Sequence, residues 1–340
     1  MPIPVPTHAL VSRRRLRRVL SVASAIAMLT GSLQGAQTPQ SAELSPQARA
    51  HLTEIITVLQ RQWLYRSDMD WDSLRQRVFE KAGAAQTIPD TYDAIRLALT
   101  LLGDKHSYYV TATNEYIYNP ESPTESTGQC RPMPLVAPSV PDDVGYVRLQ
   151  ITLNTSPDAI QDTLRKGDRA GTVGWIVDLR NSGSGNTWPT LAGIGSLLGE
   201  GTAGFFVDAA NRPTPWGYTN GVAWLARPDQ DLAFLEMPYR LLASGLRVAV
   251  LTDKGVANSG EALAIAFRAR PNTRSFGTPT CGLSTAVAQV GLSRGGRLGV
   301  VTSVMADRTM KKYGGAVEPD ELVSDPTEVV SRAVAWLHRP

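Results

Sequence analysis

The sequence predicts an α/β protein: a core in which strands alternate with helices, behind an N-terminal helical module. Three observations predict it. From residue 143 on, short apolar runs such as GYVRLQ (145–150), GWIVDLR (174–180) and LRVAVLTD (246–253) alternate with segments of helical spacing. Between them lie Gly-, Ser- and Asn-rich corners, DLRNSGSGNTWP (178–189) and LTDKGVANSGE (251–261). Ahead of them, residues 45–104 carry apolar residues at helical spacing.

The elements follow in order. SPQARAHLTEIITVLQRQWLY (45–65) opens on Ser-Pro, a helix start; DWDSLRQRVFEKAGAA (70–85) and IPDTYDAIRLALTLLGD (88–104) follow with Asp and Pro-Asp-Thr starts. These make the helical module, 45–106. The Pro-, Ser- and Thr-rich stretch 107–142 reads as a loop or linker. The core is 143–325. Its first helix has Ser156 as N-cap and Pro157 at the first helical position. A helix in WPTLAGIGSLLGEG (188–201) ends in glycine, AGFFVD and VAWLA read as strands, and a helix starts at 259. A helix within 326–340 closes the chain. Strand–helix–strand alternation implies parallel strands with right-handed crossovers, and ligand sites in such sheets lie beyond the carboxyl ends of the strands.

Residues 1–36 read as an export signal. SRRRLRR (12–18) precedes the apolar VLSVASAIAMLT (19–30) and then small residues, with cleavage near Ala36 or retention as an anchor as the two outcomes. The mature chain is therefore expected outside the cytoplasm, periplasmic or extracellular, with contact to a membrane only through an uncleaved signal. The formal charge of +3 falls to −2 once the five leader arginines are removed. No basic patch with interleaved aromatics remains, so nucleic acid is not an expected partner. No His, Cys, Asp or Glu cluster has metal-ligand spacing, and neither metal nor cofactor is expected. Cys130 and Cys281 are the two cysteines; in an exported protein they form a disulfide or stand as two thiols, and spacing does not decide.

Acyl transfer needs a nucleophile, a base and an anion hole. Ser259 stands at the start of a helix, where free amides and the helix dipole favour negative charge. The same residues fit a helix cap, with Asn258 as N-cap and Glu261 three residues on. NSGSGN (181–186) offers backbone amides, those of Ser184 and Gly185 among them, to an oxyanion, and Gly260 lies beside Ser259. Of four histidines, His8 is in the leader, His51 in the first helix and His338 near the end. That leaves His106, in LLGDKHSYYV, as the candidate base, with Asp104 placed to orient it and Ser107 beside it.

Taken in order, LGDKHS, GYVRL, GWIVDLRNSGSGN, VAVLTDKGVANSGEALAIAF, FGTPTCGLST and GGAVEPDELV resemble the tail-specific (carboxy-terminal-processing) serine protease family over about 45–325. The resemblance implies a crotonase-like core of stacked strand–helix units and hydrolysis of peptide bonds in peptides or unfolded protein segments. The stretch 107–142 is too short for the PDZ insertion that many members carry. Three positions depart from the pattern. The family nucleophile position is Asn258, with Ser259 one residue later. The lysine position holds Leu283. Ser184-Gly185 stands where Gly-Gly is expected. One branch of the family takes its base from the histidine that matches His106. The resemblance therefore implies either a serine peptidase with Ser259, His106 and the Ser184–Gly185 amides, or a non-catalytic peptide- or ligand-binding protein on the same fold.

Overall fold

Helix α1 (Pro46–Gln62) begins where Ser45 accepts the Ala48 N–H and Pro46 supplies a preset φ, and it buries Leu52, Ile55, Ile56 and Leu59 on one face. Helix α2 (Trp71–Ala82) is capped by Asp70, and α3 (Tyr92–Leu102) ends at Gly103, whose φ of 72° is left-handed. The computed structural model describes residues 43–122, 130–136, 138–226 and 230–340. The export signal expected at 1–36 lies outside them. Among the described residues no helix is long and apolar enough to cross a membrane.

Two short strands follow, β1 (Tyr108–Val110) and β2 (Tyr116–Tyr118), then β3 (Val144–Arg148), α4 (Pro157–Gly167), β4 (Gly174–Asp178) and α5 (Thr187–Leu198). Next come β5 (Gly201–Asp208), β6 (Pro213–Thr219), β7 (Val222–Leu225), β8 (Gln230–Phe234), β9 (Arg247–Thr252) and α6 (Ser259–Ala266). The chain closes with β10 (Thr273–Gly277), β11 (Thr285–Gly291), β12 (Arg297–Asp307), β13 (Glu321–Leu322) and α7 (Val329–Leu337).

The strands form two sheets. One is five-stranded and parallel throughout, in the order β13-β10-β9-β4-β3. All five residues of β4 are buried, because α5 and α6 cover one face of this sheet and α7 the other. The other sheet is antiparallel, in the order β2-β1-β12-β5-β6-β7-β8, with β11 also paired to β12.

The α/β expectation and its parallel strands hold for the first sheet. The antiparallel sheet was not foreseen, since β6 and β8 lack a clear apolar alternation. The expectation of a loop over 107–142 needs correcting at its start. Tyr108 pairs with Gly299 and Tyr118, so β1 and β2 form a hairpin that extends the antiparallel sheet. Three-residue strands are too short for a period to show. The helical module shares its core with that sheet, where Leu52, Ile55, Ile95 and Leu99 pack in one cluster with Leu298 and Val300.

Trp175 on β4 is fully buried, and its indole lies over Gly145 of β3. A β-carbon there would come within 2.4 Å of Trp175 Cδ2. G145A should lower the unfolding free energy by about 1–3 kcal/mol through overpacking. Urea denaturation checks it, and an unchanged midpoint would contradict this packing.

Candidate active site

The two corners singled out in the sequence leave adjacent parallel strands. β4 pairs with β9, so the turn at 179–186 and the turn at 253–258 lie side by side. Their first anchor is a buried ion pair. Arg180 Nε and Nη2 donate to the two oxygens of Asp178 at 2.9 and 2.7 Å, and the Tyr146 hydroxyl donates to the same carboxylate at 2.7 Å. The second is Asp253, whose carboxylate accepts the N–H groups of Asn181, Gly255 and Met133. Backbone bonds close the seam: Ala257 N–H to Ser182 O at 3.1 Å and Gly260 N–H to Gly183 O at 3.3 Å. A β-carbon on Gly260 would lie 2.0 Å from Ser182 O, so no larger residue fits there.

Ser259 and the expected oxyanion turn therefore meet. The Ser259 hydroxyl donates to Gly185 O at 2.7 Å, and Gly185 N–H donates back to Ser259 Oγ at 3.3 Å. Ser259 is only 5% exposed. The Gly260 N–H is also taken, by Gly183 O and Ala257 O. Ser184 is exposed at the tip of the turn. Asn258, which the resemblance leads one to expect at the family's nucleophile position, is partly exposed and holds the tight corner, at φ 48° and ψ −102°. That conformation lies outside the basins that side-chain-bearing residues prefer and costs about 1–3 kcal/mol.

Glu261 holds this corner to the rest of the site. Its side chain is fully buried. Oε2 accepts the N–H groups of Asn258 (2.9 Å) and Leu283 (2.8 Å), while Oε1 accepts the Thr280 hydroxyl (2.5 Å) and the Gly282 N–H (2.8 Å). The Asn258–Glu261 bond is the one a capping box expects; the bonds to 280–283 are not legible in sequence. The same loop carries Cys281, which is joined to Cys130 in a disulfide across 151 residues. The pairing left open above is thus made.

His106 sits on the far side of that loop. Its Nδ1 shares a 2.7 Å hydrogen bond with Thr285 Oγ1. Asp104 does not orient the ring by a hydrogen bond. Its oxygens accept the N–H groups of His106 and Ser107, the Ser107 hydroxyl and the Trp63 indole, which shapes the backbone of the turn. Ser107 Oγ also accepts the Val301 N–H, so it secures the turn to β12 and does not bridge to another side chain of the site. Thr285, the last residue of FGTPTCGLST and given no role there, is the ring's partner. Burial holds the imidazole down, to about 4, against the charge of Asp104. The ring is therefore neutral at pH 7. It lines a cavity of about 460 Å³ together with Tyr65, Lys105, Leu283, Thr285 and Val301. Neither Asn258 nor Ser259 lines that cavity, and among the described residues no hydrogen bond joins either of them to His106. No group of His, Cys, Asp and Glu among the described residues could hold a metal ion.

Burial pushes Glu261 up to about 7, although its four donors pull the other way. The two buried groups then act oppositely in acid. The folded state holds fewer protons than the unfolded one at His106 between about 4 and 6.5, so that group makes stability rise with pH. At Glu261 the folded state holds more protons between 4.5 and about 7, so that group makes stability fall with pH. Measured against wild type, E261Q should become relatively more stable from pH 4.5 to 7.5, and H106Q relatively less stable from pH 4 to 6.5. Urea unfolding at a series of pH values checks both; differences flat in pH would refute them.

With this geometry in hand, known proteins offer a comparison. Residues 143–323 match Peptidase family S41. A nisin-resistance protein from Lactococcus lactis subsp. lactis is 23% identical over 283 residues, covering 81% of this chain and 82% of that protein. A lipoprotein from Streptococcus agalactiae superposes with a TM-score of 0.61 at 20% identity, over 86% of this chain and 97% of that one. The photosystem II D1 C-terminal processing protease gives 0.56 at 16% identity, over 85% and 99%. The structural likenesses concern the fold, but the family match spans both corners and the Glu261 loop, and it covers more than half of the sequence: the chain belongs to Peptidase family S41.

Proposed function

We propose that the chain is an exported serine-type peptidase, on a crotonase-like core, that hydrolyses peptide bonds in peptides or unfolded protein segments. One observation carries the reading. The Glu261 carboxylate ties a corner bearing a hydroxyl on the Gly185 N–H to a loop bordering a neutral imidazole in a cavity. In this reading Ser259 Oγ leaves Gly185 O and attacks the substrate carbonyl, and His106 Nε2 takes its proton. The Gly185 N–H, freed from Ser259, donates to the oxyanion together with the neighbouring Ser184 amide. His106 returns the proton to the leaving amine, and water then releases the acyl group. Asn258 does no chemistry here; it shapes the corner. The basic-apolar leader supports export, as does likeness to a lipoprotein and to a nisin-resistance protein.

A second reading has its own observation. Ser259 is buried and bonded twice to Gly185, while the partly exposed corner residue Asn258 carries an amide in place of a hydroxyl. On that reading the site holds a peptide or another ligand without cutting it.

Turnover of unstructured peptides by the purified mature chain separates the two. For a peptidase, S259A should cost about 10⁶-fold in kcat, and H106Q about 10²–10⁴-fold. N258S should not raise turnover. An inert wild type that gains hydrolysis only as N258S would overturn the first reading and establish the second.

A further inference from the structure

The His106 cavity does not end at its rim. Val301 and Thr285, which line it, stand on β12 and β11. Val301 pairs with Val287, and Gly299 pairs with both Gln289 and Tyr108. Residues two apart on a strand share a face. Val287 and Gln289 on β11 therefore lie on the same side of the sheet as Val301 and Gly299 on β12, while Thr285 stands beyond a shift in register at Ala286/Val287. Gly299 has no side chain, and the Tyr108 ring occupies the space, within 2.5 Å of where a β-carbon would be. The Tyr108 hydroxyl accepts the Gln289 amide at 3.1 Å.

From Tyr108 the face continues outward. Tyr118 stands directly opposite Tyr108, and Tyr116 is two residues away on the same strand. Their rings form one platform. Tyr116 and Tyr118 stack at 5.6 Å with planes 12° apart, and both lie within 6 Å of the Tyr108 ring. Tyr116 is 49% exposed and Tyr118 37%. Rings buried to seal a core have no reason to be half in water. Among the described residues, β2 is the last strand on its side of the sheet, so its outer edge is open to backbone pairing as well.

We propose that this face, running from the His106 cavity across Gly299 to the tyrosines, docks the flank of an extended peptide. An aromatic or prolyl side chain of that peptide would lie on Tyr116 and Tyr118 while the segment nearer the scissile bond enters the cavity. The proposal rests on the reading of the cavity as one that takes peptides. It selects peptide over saccharide, which also stacks on tyrosine, because the platform adjoins that cavity and an open strand edge.

The test uses fluorescein-labelled unstructured peptides that differ at one position, Trp or Pro against Ser, with binding to the mature chain read by anisotropy. The Trp and Pro peptides should bind wild type about tenfold more tightly than the Ser peptide. Y116S/Y118S should erase that preference and leave the Ser peptide's Kd unchanged. Y116F/Y118F, which keeps the rings, should retain it, and where peptides are cleaved the same factor should appear in KM with kcat unchanged. If peptides bind but Trp, Pro and Ser are equivalent, or the preference survives Y116S/Y118S, the docking face is refuted and the peptide reading stands. If no peptide binds, both fall. If Y116S/Y118S loses retention on insoluble peptidoglycan while peptide binding is untouched, the platform belongs to a glycan and the proposal is overturned.

Discussion

One buried carboxylate holds the candidate site together. Glu261 has no contact with solvent, and each of its oxygens accepts two hydrogen bonds, from groups that belong to separate segments of the chain. A carboxylate taken out of water must find partners, or it is costly enough to shift its own ionisation. Here the partners are the corner at Asn258 and the loop at 280–283, so the need for satisfaction fixes how those two pieces approach. The position of Leu283 follows, and with it one wall of the cavity that His106 shares. The imidazole itself is set by Thr285, two residues beyond that loop.

The two sheets supply the rest by geometry. Adjacent parallel strands β4 and β9 release their chains at the same end, which sets Gly185 against Ser259 without any long-range design. The antiparallel sheet brings the turn at His106 from a distant part of the sequence, because β1 continues from that turn and pairs with β12. The site lies where the products of these two architectures meet.

The centre of the parallel half was legible because β4 and β9 are each an apolar run that ends in a Gly- or Asn-rich corner. GWIVDLR and LRVAVLTD could hardly be anything else, and the contact between Ser259 and the 181–186 turn was anticipated from the same corners. What escaped were partnerships carried by single side chains. Asp104 looked like the group that orients His106, being two residues away, yet its oxygens are consumed by amides, a hydroxyl and an indole of its own neighbourhood. Thr285 does that work from 179 residues further along, and sequence separation of that size leaves no local trace. The tyrosine hairpin was hidden for another reason: three residues are too few for alternation to register.

Asn258 has a consequence of its own. Its backbone holds the contorted shape of the corner, and its side chain is an amide. Among residues with a β-carbon, asparagine is one of the most tolerant of positive φ. A serine introduced at 258 would meet the same backbone with less tolerance. The fold would be weaker in return for any reactivity gained, a trade between chemistry and durability written into one dihedral angle.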